Sequence, residues 1–251
     1  MKIIRKKALG STNSYAEQQI SEGKIIEPCC IMATCQSAGK GQGSNKWVSE
    51  AGKNLTFSMV CFPDFLPAEK QYFLNKAVAL SVFELISELV PDKSVSIKWP
   101  NDIYVGDHKI AGILIQAAIQ KDRMKYAIIG IGINVNQEKF PEHLPNPTSI
   151  IQHTKTKTDL NVALKRFLEI YQIRYEMIMN NRIAETDRDY LQALYRFGQR
   201  SVFEYEGKRI YANICGVNEY GWLQLTTDDG NMLCGDMNKI KIVIEGRNDI
   251  A

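Results

Sequence analysis

Histidine and paired cysteines are scarce in this chain of 251 residues. It contains three histidines and six cysteines, and no two cysteines form a CxxC pair. Because zinc is held mainly by clusters of those two residue types, the composition argues against a His-rich zinc site. The absence of a GxSxG motif argues against a serine hydrolase. Several cysteines lie in apolar, strand-like runs, so we expect free thiols in a reducing compartment.

Signals for export or membrane insertion are also missing. The basic start, residues 1–7, is followed by no apolar segment of the kind found in signal peptides. No uncharged apolar stretch approaches the roughly 18 residues that a membrane span requires. We therefore expect a cytoplasmic protein that has no membrane partner.

The charge of the chain is nearly balanced. Thirty-one Lys and Arg against 28 Asp and Glu give a formal net charge of +3. An excess this small does not predict binding to nucleic acid or to a membrane. With 45% hydrophobic and 24% charged residues, the composition is that of a soluble globular protein. The length allows one large domain, or one large and one small domain.

The hydrophobic pattern changes at about residue 198. Before it, strands are predicted near residues 2–7, 31–34, 55–60, 95–98, 103–105, 108–120 and 126–135. Helices are predicted near residues 14–21, 68–89, 160–180 and 184–196, the first with a capping box at Ser14 and Glu17. Five short strands follow within about 50 residues. We predict an α/β domain over residues 1–197 and a small β-barrel over residues 198–251.

A loop rich in glycine and lysine, Gly39-Lys-Gly-Gln-Gly-Ser-Asn-Lys-Trp47, joins two of the predicted strands. Glycine lets the backbone turn its N–H groups toward an anion, and lysine adds positive charge. The loop is not a Walker A motif, because the GKS or GKT ending and the following helix are missing. The alternative interpretation is a solvent-exposed loop without a ligand.

A second polar segment, Lys98-Trp-Pro-Asn-Asp102, ends a short strand. Its Asn and Asp side chains suit hydroxyl groups, ammonium groups or Mg²⁺, although a turn with a packed tryptophan would also explain it. Lys109 follows across the turn at Gly106 and leads into an apolar strand. A lysine that enters such a strand is costly unless an anion meets it, which favours a functional Lys109 over one that reaches back to solvent.

Two shorter segments complete the set: Ser11-Thr-Asn13 at a predicted helix start and Gly130-Ile-Gly-Ile-Asn134 at a strand end. Short polar side chains at a helix start suit anions or amides, and glycines in a strand allow another group to approach closely. An ordinary cap and a bulged core strand are the alternatives. Together the segments supply backbone N–H groups, lysines, one carboxylate and no obvious nucleophile, which favours chemistry by positioning phosphate and carboxylate charge.

In order and spacing, these segments, with Gln36 before the glycine loop and Lys109-Ile-Ala-Gly-Ile113, resemble the motifs of biotin–protein ligases over about residues 3–240. The resemblance implies an α/β (α+β) fold of the class II aminoacyl-tRNA synthetase type, a mixed sheet flanked by helices, followed by an SH3-like barrel. It implies ATP-dependent biotinylation of a lysine on a biotin carboxyl carrier protein through biotinyl-5′-AMP, with Mg²⁺. The carrier would belong to acetyl-CoA carboxylase or a related carboxylase. Homodimers are common in the family.

The resemblance also assigns roles to residues. Those that would bind biotin are Ser11, Thr12, Asn13, Gln36, Gly39, Lys40, Gly41, Gln42, Lys109 and Gly112. Those that would bind ATP or the adenylate are Lys40, Gln42, Lys46, Trp47, Asn101, Gly132 and Asn134. Lys109 and Asp102 would be catalytic: Lys109 would stabilise charge at the biotin carboxylate and the α-phosphate, and Asp102 would bind Mg²⁺ or orient the acceptor amine.

The glycine loop departs from the family pattern GRGRxGRxW. Gln42 and Asn45 stand where that pattern has arginines, and the glycine expected at 44 is found at 43. Neutral amides do not replace the bidentate fork of arginine. We therefore expect the function to persist with faster leakage of the adenylate intermediate.

Three other functions are alternatives to ligation alone. A repressor that also ligates carries a winged helix-turn-helix before the Ser-Thr-Asn motif, and because ten residues precede Ser11 we expect no DNA binding. A lipoate or octanoate ligase or transferase on the same fold would share a lysine but not the motifs at 98–102 and 109–112 together. A non-catalytic biotin-binding protein would tolerate the loss of Lys109.

Overall fold

A computed structural model describes residues 1–244. Its larger sheet has seven strands: β1 (Lys2–Leu9), β2 (Cys29–Gln36), β3 (Leu55–Cys61), β4 (Val95–Lys98), β5 (Asp102–Val105), β6 (His108–Gln120) and β7 (Arg123–Ile133). The strands lie in the order β1-β2-β3-β7-β6-β5-β4. β1 and β2 are parallel and each other neighbouring pair is antiparallel, so the predicted mixed sheet is confirmed.

Helices cover both faces of this sheet. They are α1 (Thr12–Ser21), α2 (Tyr72–Leu89), α3 (Ile150–Thr154), α4 (Leu160–Met179) and α5 (Ile183–Ala193), with a 3-10 turn at Ala68–Lys70 before α2. The larger core lies between the sheet and α2, α4 and α5, and a smaller core lies under α1. All seven residues of β3 are buried, as expected for a strand covered on both faces. In the described part of the chain, no helix is long and apolar enough to cross a bilayer.

The second sheet is antiparallel and contains the five strands predicted after residue 198. They are β8 (Ser201–Tyr205), β9 (Lys208–Val217), β10 (Leu223–Thr227), β11 (Met232–Gly235) and β12 (Ile240–Ile242), in the order β11-β10-β9-β8-β12. Buried residues such as Phe203 and Leu225 belong to the same apolar cluster as the larger core. The two sheets therefore share a continuous apolar contact, which brings residues of the second sheet close to the first.

One local prediction was wrong, and one short helix had not been predicted. The N-cap of α1 is Ser11, and Ser14 lies inside the helix, so the capping box at Ser14 and Glu17 does not form. The side chain of Ser11 makes no capping hydrogen bond, and the polar residues that follow it make contacts with other strands instead. The helix without a prediction is α3, which has five residues. A helix this short lacks the repeated apolar spacing on which recognition depends.

The six cysteines are free thiols, as predicted, and their environments differ. Burial raises the pKa of Cys30 and of Cys61 to about 12, because a thiolate is disfavoured away from water. Cys215 and Cys234 are exposed. We expect iodoacetamide at pH 8 to alkylate Cys215 and Cys234 in the folded protein and to reach Cys30 and Cys61 only in denaturant. Peptide mass spectrometry measures this, and rapid alkylation of Cys30 or Cys61 without denaturant would contradict the buried placement.

Candidate active site

A cavity of about 230 Å³ opens where α1, the glycine loop and the central strands of the larger sheet meet. It gathers fourteen of the predicted site residues: Ser11, Thr12, Asn13, Gln36, Lys40, Gly41, Gln42, Lys46, Trp47, Asn101, Asp102, Lys109, Gly112 and Gly132. Segments that are far apart in sequence thus line one space. Gly39 and Asn134 lie outside this lining, although Gly39 shapes the loop that contributes to it.

One end of the cavity is a hydrogen-bonded network of neutral side chains. The hydroxyl of Ser58, which is fully buried, lies 2.7 Å from Thr12 Oγ1 and 2.5 Å from Asn13 Oδ1. The Thr12 backbone N–H donates to Gln36 Oε1 at 2.7 Å, and Asn13 Nδ2 donates to Gln116 Oε1 at 2.8 Å. Since buried polar groups that satisfy one another are held in one geometry, this end presents a fixed set of donors and acceptors.

Gly130 makes room for that network. It pairs with Ser58 across β7 and β3, and a Cβ placed on it would lie 2.3 Å from Asn13 Oδ1. That distance is far inside van der Waals contact, so a side chain here would displace Asn13. The close approach expected at this glycine is therefore made by another residue of the chain.

The Trp47 ring lines the cavity and lies against two more glycines. A Cβ on Gly132 would be 2.2 Å from Trp47 Cε2, and one on Gly112 would be 3.1 Å from Cζ3. The amine of Lys109 lies 5.8 Å from the ring centroid. The buried indole Nε1–H has no hydrogen-bond partner within residues 1–244. A buried donor without a partner is a place where a ligand atom can be accommodated.

The glycine loop folds back on itself as a tight hairpin. Gly41 N–H donates to the Asn45 carbonyl at 2.8 Å, and Trp47 N–H donates to the Gly39 carbonyl at 3.0 Å. Gly39 must be small, because a Cβ on it would lie 2.4 Å from the Trp47 carbonyl oxygen. At the loop tip, Gln42 Nε2 is 2.7 Å from the sulfur of Met237, which also lines the cavity. The second sheet therefore contributes to the site.

The charged part of the site is an ion pair. Lys109 Nζ lies 2.7 Å from Asp102 Oδ1, and the two side chains are 33% and 18% exposed. The hairpin of β5 and β6 brings the two side chains together, although in the register Lys109 lies opposite Tyr104 and Asp102 opposite Gly112. We expected an anion next to Lys109, and within the chain that anion is the carboxylate of Asp102. The pair offers a cation for a carboxylate or a phosphate beside one carboxylate.

A separate loop fixes the backbone of Lys109. Its N–H donates to the Asn146 carbonyl at 2.8 Å, and its carbonyl accepts from Thr148 N–H at 2.9 Å. Asn134 joins the same loop, since its Nδ2 donates to the Thr148 carbonyl at 2.9 Å. Its Oδ1 is buried and has no partner among the described residues. Asn134 thus lies behind Lys109, and its predicted contact with a nucleotide stays a prediction.

Sequence reasoning missed three residues of the site. Ser58, like Thr56, is a buried polar residue among the apolar residues of β3, a signal that was visible in the sequence of that strand. Gln116 occupies a similar position after an apolar run in β6. Met237 carried no local signal, because its place at the cavity depends on how the second sheet packs.

The described part of the chain offers little to a bare metal ion. Within residues 1–244, no three His, Cys, Asp or Glu side chains come together as metal ligands. Asp102 is the one carboxylate among the described residues that line the cavity. A divalent cation here would therefore need ligands from another molecule, as Mg²⁺ has when it binds with the phosphates of a nucleotide.

Comparison with known proteins decides the family. A model of the biotin/lipoate A/B protein ligase family matches residues 7–134, the range that contains all of the motifs above. The chain belongs to this biotin/lipoate A/B protein ligase family. The ion pair, the glycine loop and the neutral network are thus features of a ligase-family domain.

Similarity to individual proteins extends beyond residues 7–134 of this ligase-family chain. The bifunctional ligase/repressor BirA of Bacillus subtilis is 29% identical over 231 residues, which are 91% of this chain and 70% of BirA. The biotin–[acetyl-CoA-carboxylase] ligase of Mycobacterium tuberculosis is 27% identical over 238 residues, 94% of this chain and 83% of that ligase. The structure of the Aquifex aeolicus biotin protein ligase in complex with biotin and ATP is 25% identical, with a TM-score of 0.79 over 96% of this chain and 98% of that protein.

Proposed function

We propose that this chain catalyses the ATP-dependent biotinylation of a lysine on a biotin carboxyl carrier protein through biotinyl-5′-AMP. The main support is a single cavity that has a neutral hydrogen-bonding network at one end and the Lys109–Asp102 pair at another part of its wall. A ligand that has a polar neutral ring and a carboxylate matches that arrangement, the ring at the network and the carboxylate at Lys109. The similarity to the Mycobacterium tuberculosis ligase and to the Aquifex aeolicus structure with biotin and ATP supports the same assignment.

Biotin would place its ureido ring in the network at the start of α1. The ring carbonyl accepts hydrogen bonds and the two ring N–H groups donate them. The Ser11 hydroxyl and the Nε2–H groups of Gln36 can donate, and Asn13 Oδ1 can accept. The Thr12 hydroxyl already donates to Gln36 Oε1 at 3.1 Å. Because Ser58 and Gln116 hold Thr12 and Asn13 in place, those two side chains lose little rotamer entropy when the ring binds. Lys109 would meet the valerate carboxylate.

In the first half-reaction, a biotin carboxylate oxygen attacks the α-phosphorus of ATP. A new O–P bond forms, the bond to the bridging oxygen breaks, and pyrophosphate leaves with the electron pair. Lys109 would stabilise the negative charge on the carboxylate and on the α-phosphate oxygens as they approach each other. In the second half-reaction, the neutral acceptor amine attacks the biotinyl carbonyl carbon and a C–N bond forms. The C–O bond to the phosphate breaks, AMP leaves with the electron pair, and the amine proton passes to water. Asp102 would orient that amine.

The nucleotide would lie on the side of the cavity that Trp47 and the glycine loop cover. Gly112 and Gly132 let the indole lie close against the strands, and the amide of Asn101 donates to the Ile113 carbonyl at 2.7 Å. Lys40 and Lys46, both exposed, would supply charge for the phosphates. Mg²⁺ would neutralise phosphate charge, and Asp102 fits it as the single protein carboxylate, since Mg²⁺ on nucleotides keeps few protein ligands.

The proposal includes the domain organisation implied by the resemblance. Residues 1–197 would be the catalytic domain, and residues 198–251 an SH3-like domain, of which residues 245–251 lie outside the described range. A cytoplasmic location, homodimer formation and a lack of DNA binding stay predictions.

The neutral tip of the glycine loop predicts leakage of the intermediate. Gln42 contacts Met237 through its amide and offers no cation to the adenylate. Without acceptor, we expect the wild type to release biotinyl-AMP about tenfold faster than Gln42→Arg, because a bidentate charge-assisted contact is worth on the order of 1.4 kcal/mol or more. Quenched-flow chromatography of free and bound adenylate measures the rates. Equal release from the two proteins would refute the idea.

Biotin-dependent exchange of radiolabelled pyrophosphate into ATP tests the function itself. We expect exchange with biotin and Mg²⁺, and exchange at least about 100-fold slower with lipoate or octanoate, since a site built around polar ring contacts rejects an analogue that lacks them. Exchange driven by lipoate would support the alternative lipoate ligase. Tight binding of biotin without any exchange would support the non-catalytic alternative.

A further inference from the structure

A buried cation lies between the two sheets and takes no part in the proposed chemistry. The side chain of Lys76, on α2, is 1% exposed. Its ammonium donates to Asp187 Oδ1 on α5 at 2.5 Å and to the Val217 carbonyl at the end of β9 at 3.0 Å. Lysine is almost never buried to this extent without such partners. One side chain thus joins a helix of the core, a second helix and the second sheet.

The ammonium is enclosed by aromatic rings that lead toward the active site. It lies 5.6 Å from the ring centroids of Tyr72 and Tyr190 and 4.9 Å from that of Phe73. The Tyr72 hydroxyl is 3.2 Å from the Tyr190 hydroxyl and donates to the Pro100 carbonyl at 3.3 Å. Pro100 lines the cavity two residues before Asp102.

The second sheet holds the same segment from another side. The indole N–H of Trp99 donates to the Gly221 carbonyl at 2.9 Å. A Cβ on Gly221 would lie 2.2 Å from Tyr72 Cδ2, so the tyrosine ring packs directly on the backbone of this turn. Lys76 binds Val217, four residues earlier in the chain. The lysine, Tyr72 and the turn therefore form one packed unit around Trp99 and Pro100.

We propose that Lys76 is a positioning residue for residues 99–102, which it holds by joining α2, α5 and the second sheet, and that it thereby fixes Asp102 opposite Lys109. An apolar side chain of similar length would fill the same space and avoid the cost of a buried charge. The ion pair and the carbonyl contact instead define the distance and angle between the three elements. This inference rests on the proposed function, since the step that it tunes is adenylate formation.

Lys76→Met tests the proposal, with Arg174→Met as the matched control. Arg174 on α4 is also largely buried, at 15% exposed, and it pairs with Glu84 of α2 and Asp189 of α5. Both substitutions remove a largely buried cation that links α2 with α5, and we expect both to lower Tm. We expect Lys76→Met alone to lower kcat for biotinyl-AMP formation about tenfold, because a displaced Asp102 would misplace Lys109 and the Mg²⁺ that this carboxylate would hold at the phosphates. The Kd for biotin should change less than about twofold, since the neutral network is remote from Lys76.

Two further measurements keep the inference falsifiable. Asp187→Asn should shift kcat in the same direction by a smaller factor, which provides a test if Lys76→Met folds poorly. Hydrogen exchange of the peptide over residues 97–105 should be about tenfold faster in Lys76→Met and unchanged in Arg174→Met. Equal loss of kcat in the two Met variants, or unchanged exchange in Lys76→Met, would overturn the proposal. A wild type that forms no biotinyl-AMP would instead overturn the proposed function, whereas the exchange result would still decide the positioning role.

Discussion

Lys109→Ala should abolish biotin transfer, lowering the rate of biotinyl-AMP formation by about 10³-fold. The amine is the cation held next to Asp102, and it is where the biotin carboxylate and the α-phosphate would meet. Two anions that must approach each other repel unless a positive charge lies between them. Alanine removes that charge and leaves Asp102 to add repulsion.

The substitution should leave the fold intact. The side chain of Lys109 is one-third exposed, and the contacts that fix its position in the sheet are backbone hydrogen bonds to Asn146 and Thr148, which alanine retains. Lys208→Ala, at an exposed position of β9, is the control and should keep full activity. Single-turnover formation of biotinyl-AMP and thermal unfolding are the measurements. A Lys109→Ala rate within about fivefold of wild type would remove this residue from the chemistry.

Gly130→Ala should weaken biotin binding by about 100-fold, the second-largest effect we expect. The new Cβ would lie 2.3 Å from Asn13 Oδ1, so Asn13 has to move. Its contacts with Ser58 and Gln116 would then be lost or stretched, which leaves buried polar groups unsatisfied in the part of the site that would hold the ureido ring. Isothermal titration with biotin measures the change.

Two other glycines make this prediction specific. Gly132→Ala places a Cβ against Trp47 instead, so it should raise the KM for ATP more than the Kd for biotin. Gly10→Ala adds the same atom where nothing lies within 4 Å, and it should behave like the wild type. If Gly130→Ala bound biotin as tightly as Gly10→Ala, the neutral network would not be the biotin site.

Much of the fold was predictable because its elements carry local signals. The period of two in β3, the apolar spacing of α2 and the short strands after residue 198 all identify elements without knowledge of their partners. The order of strands in the larger sheet was not predictable in this way, since β3 pairs with β7 across a long stretch of chain. The start of α1 was misplaced because two serines, Ser11 and Ser14, are possible N-caps. In the folded chain the N-cap is Ser11.

The site residues also fall into two groups, those that a local sequence signal identifies and those that depend on tertiary contacts. Lys109 and Asp102 lie on the two strands of one hairpin, so they are close in sequence. The register, however, places Lys109 opposite Tyr104 and Asp102 opposite Gly112, and the side chains meet diagonally across a register shift between Ile103 and Tyr104. Ser58 and Gln116 belong to the site only through strand register, and Met237 only through the packing of the second sheet. Such residues depend on contacts between distant segments, which no window of sequence contains. Lys76 is the extreme case, because a lysine within an amphipathic helix pattern gives no sign that it will be buried.

The most direct test of the central claim is biotin transfer to protein. Purified chain, biotin and MgATP are incubated with a purified biotinyl carrier domain, and the products are detected by streptavidin blotting and intact mass. We predict biotin on one lysine of the carrier, dependent on ATP and absent with Lys109→Ala. A carrier that remains unmodified while the protein binds biotin, or one that is modified equally without ATP, would contradict the assignment of this chain as a biotin–protein ligase.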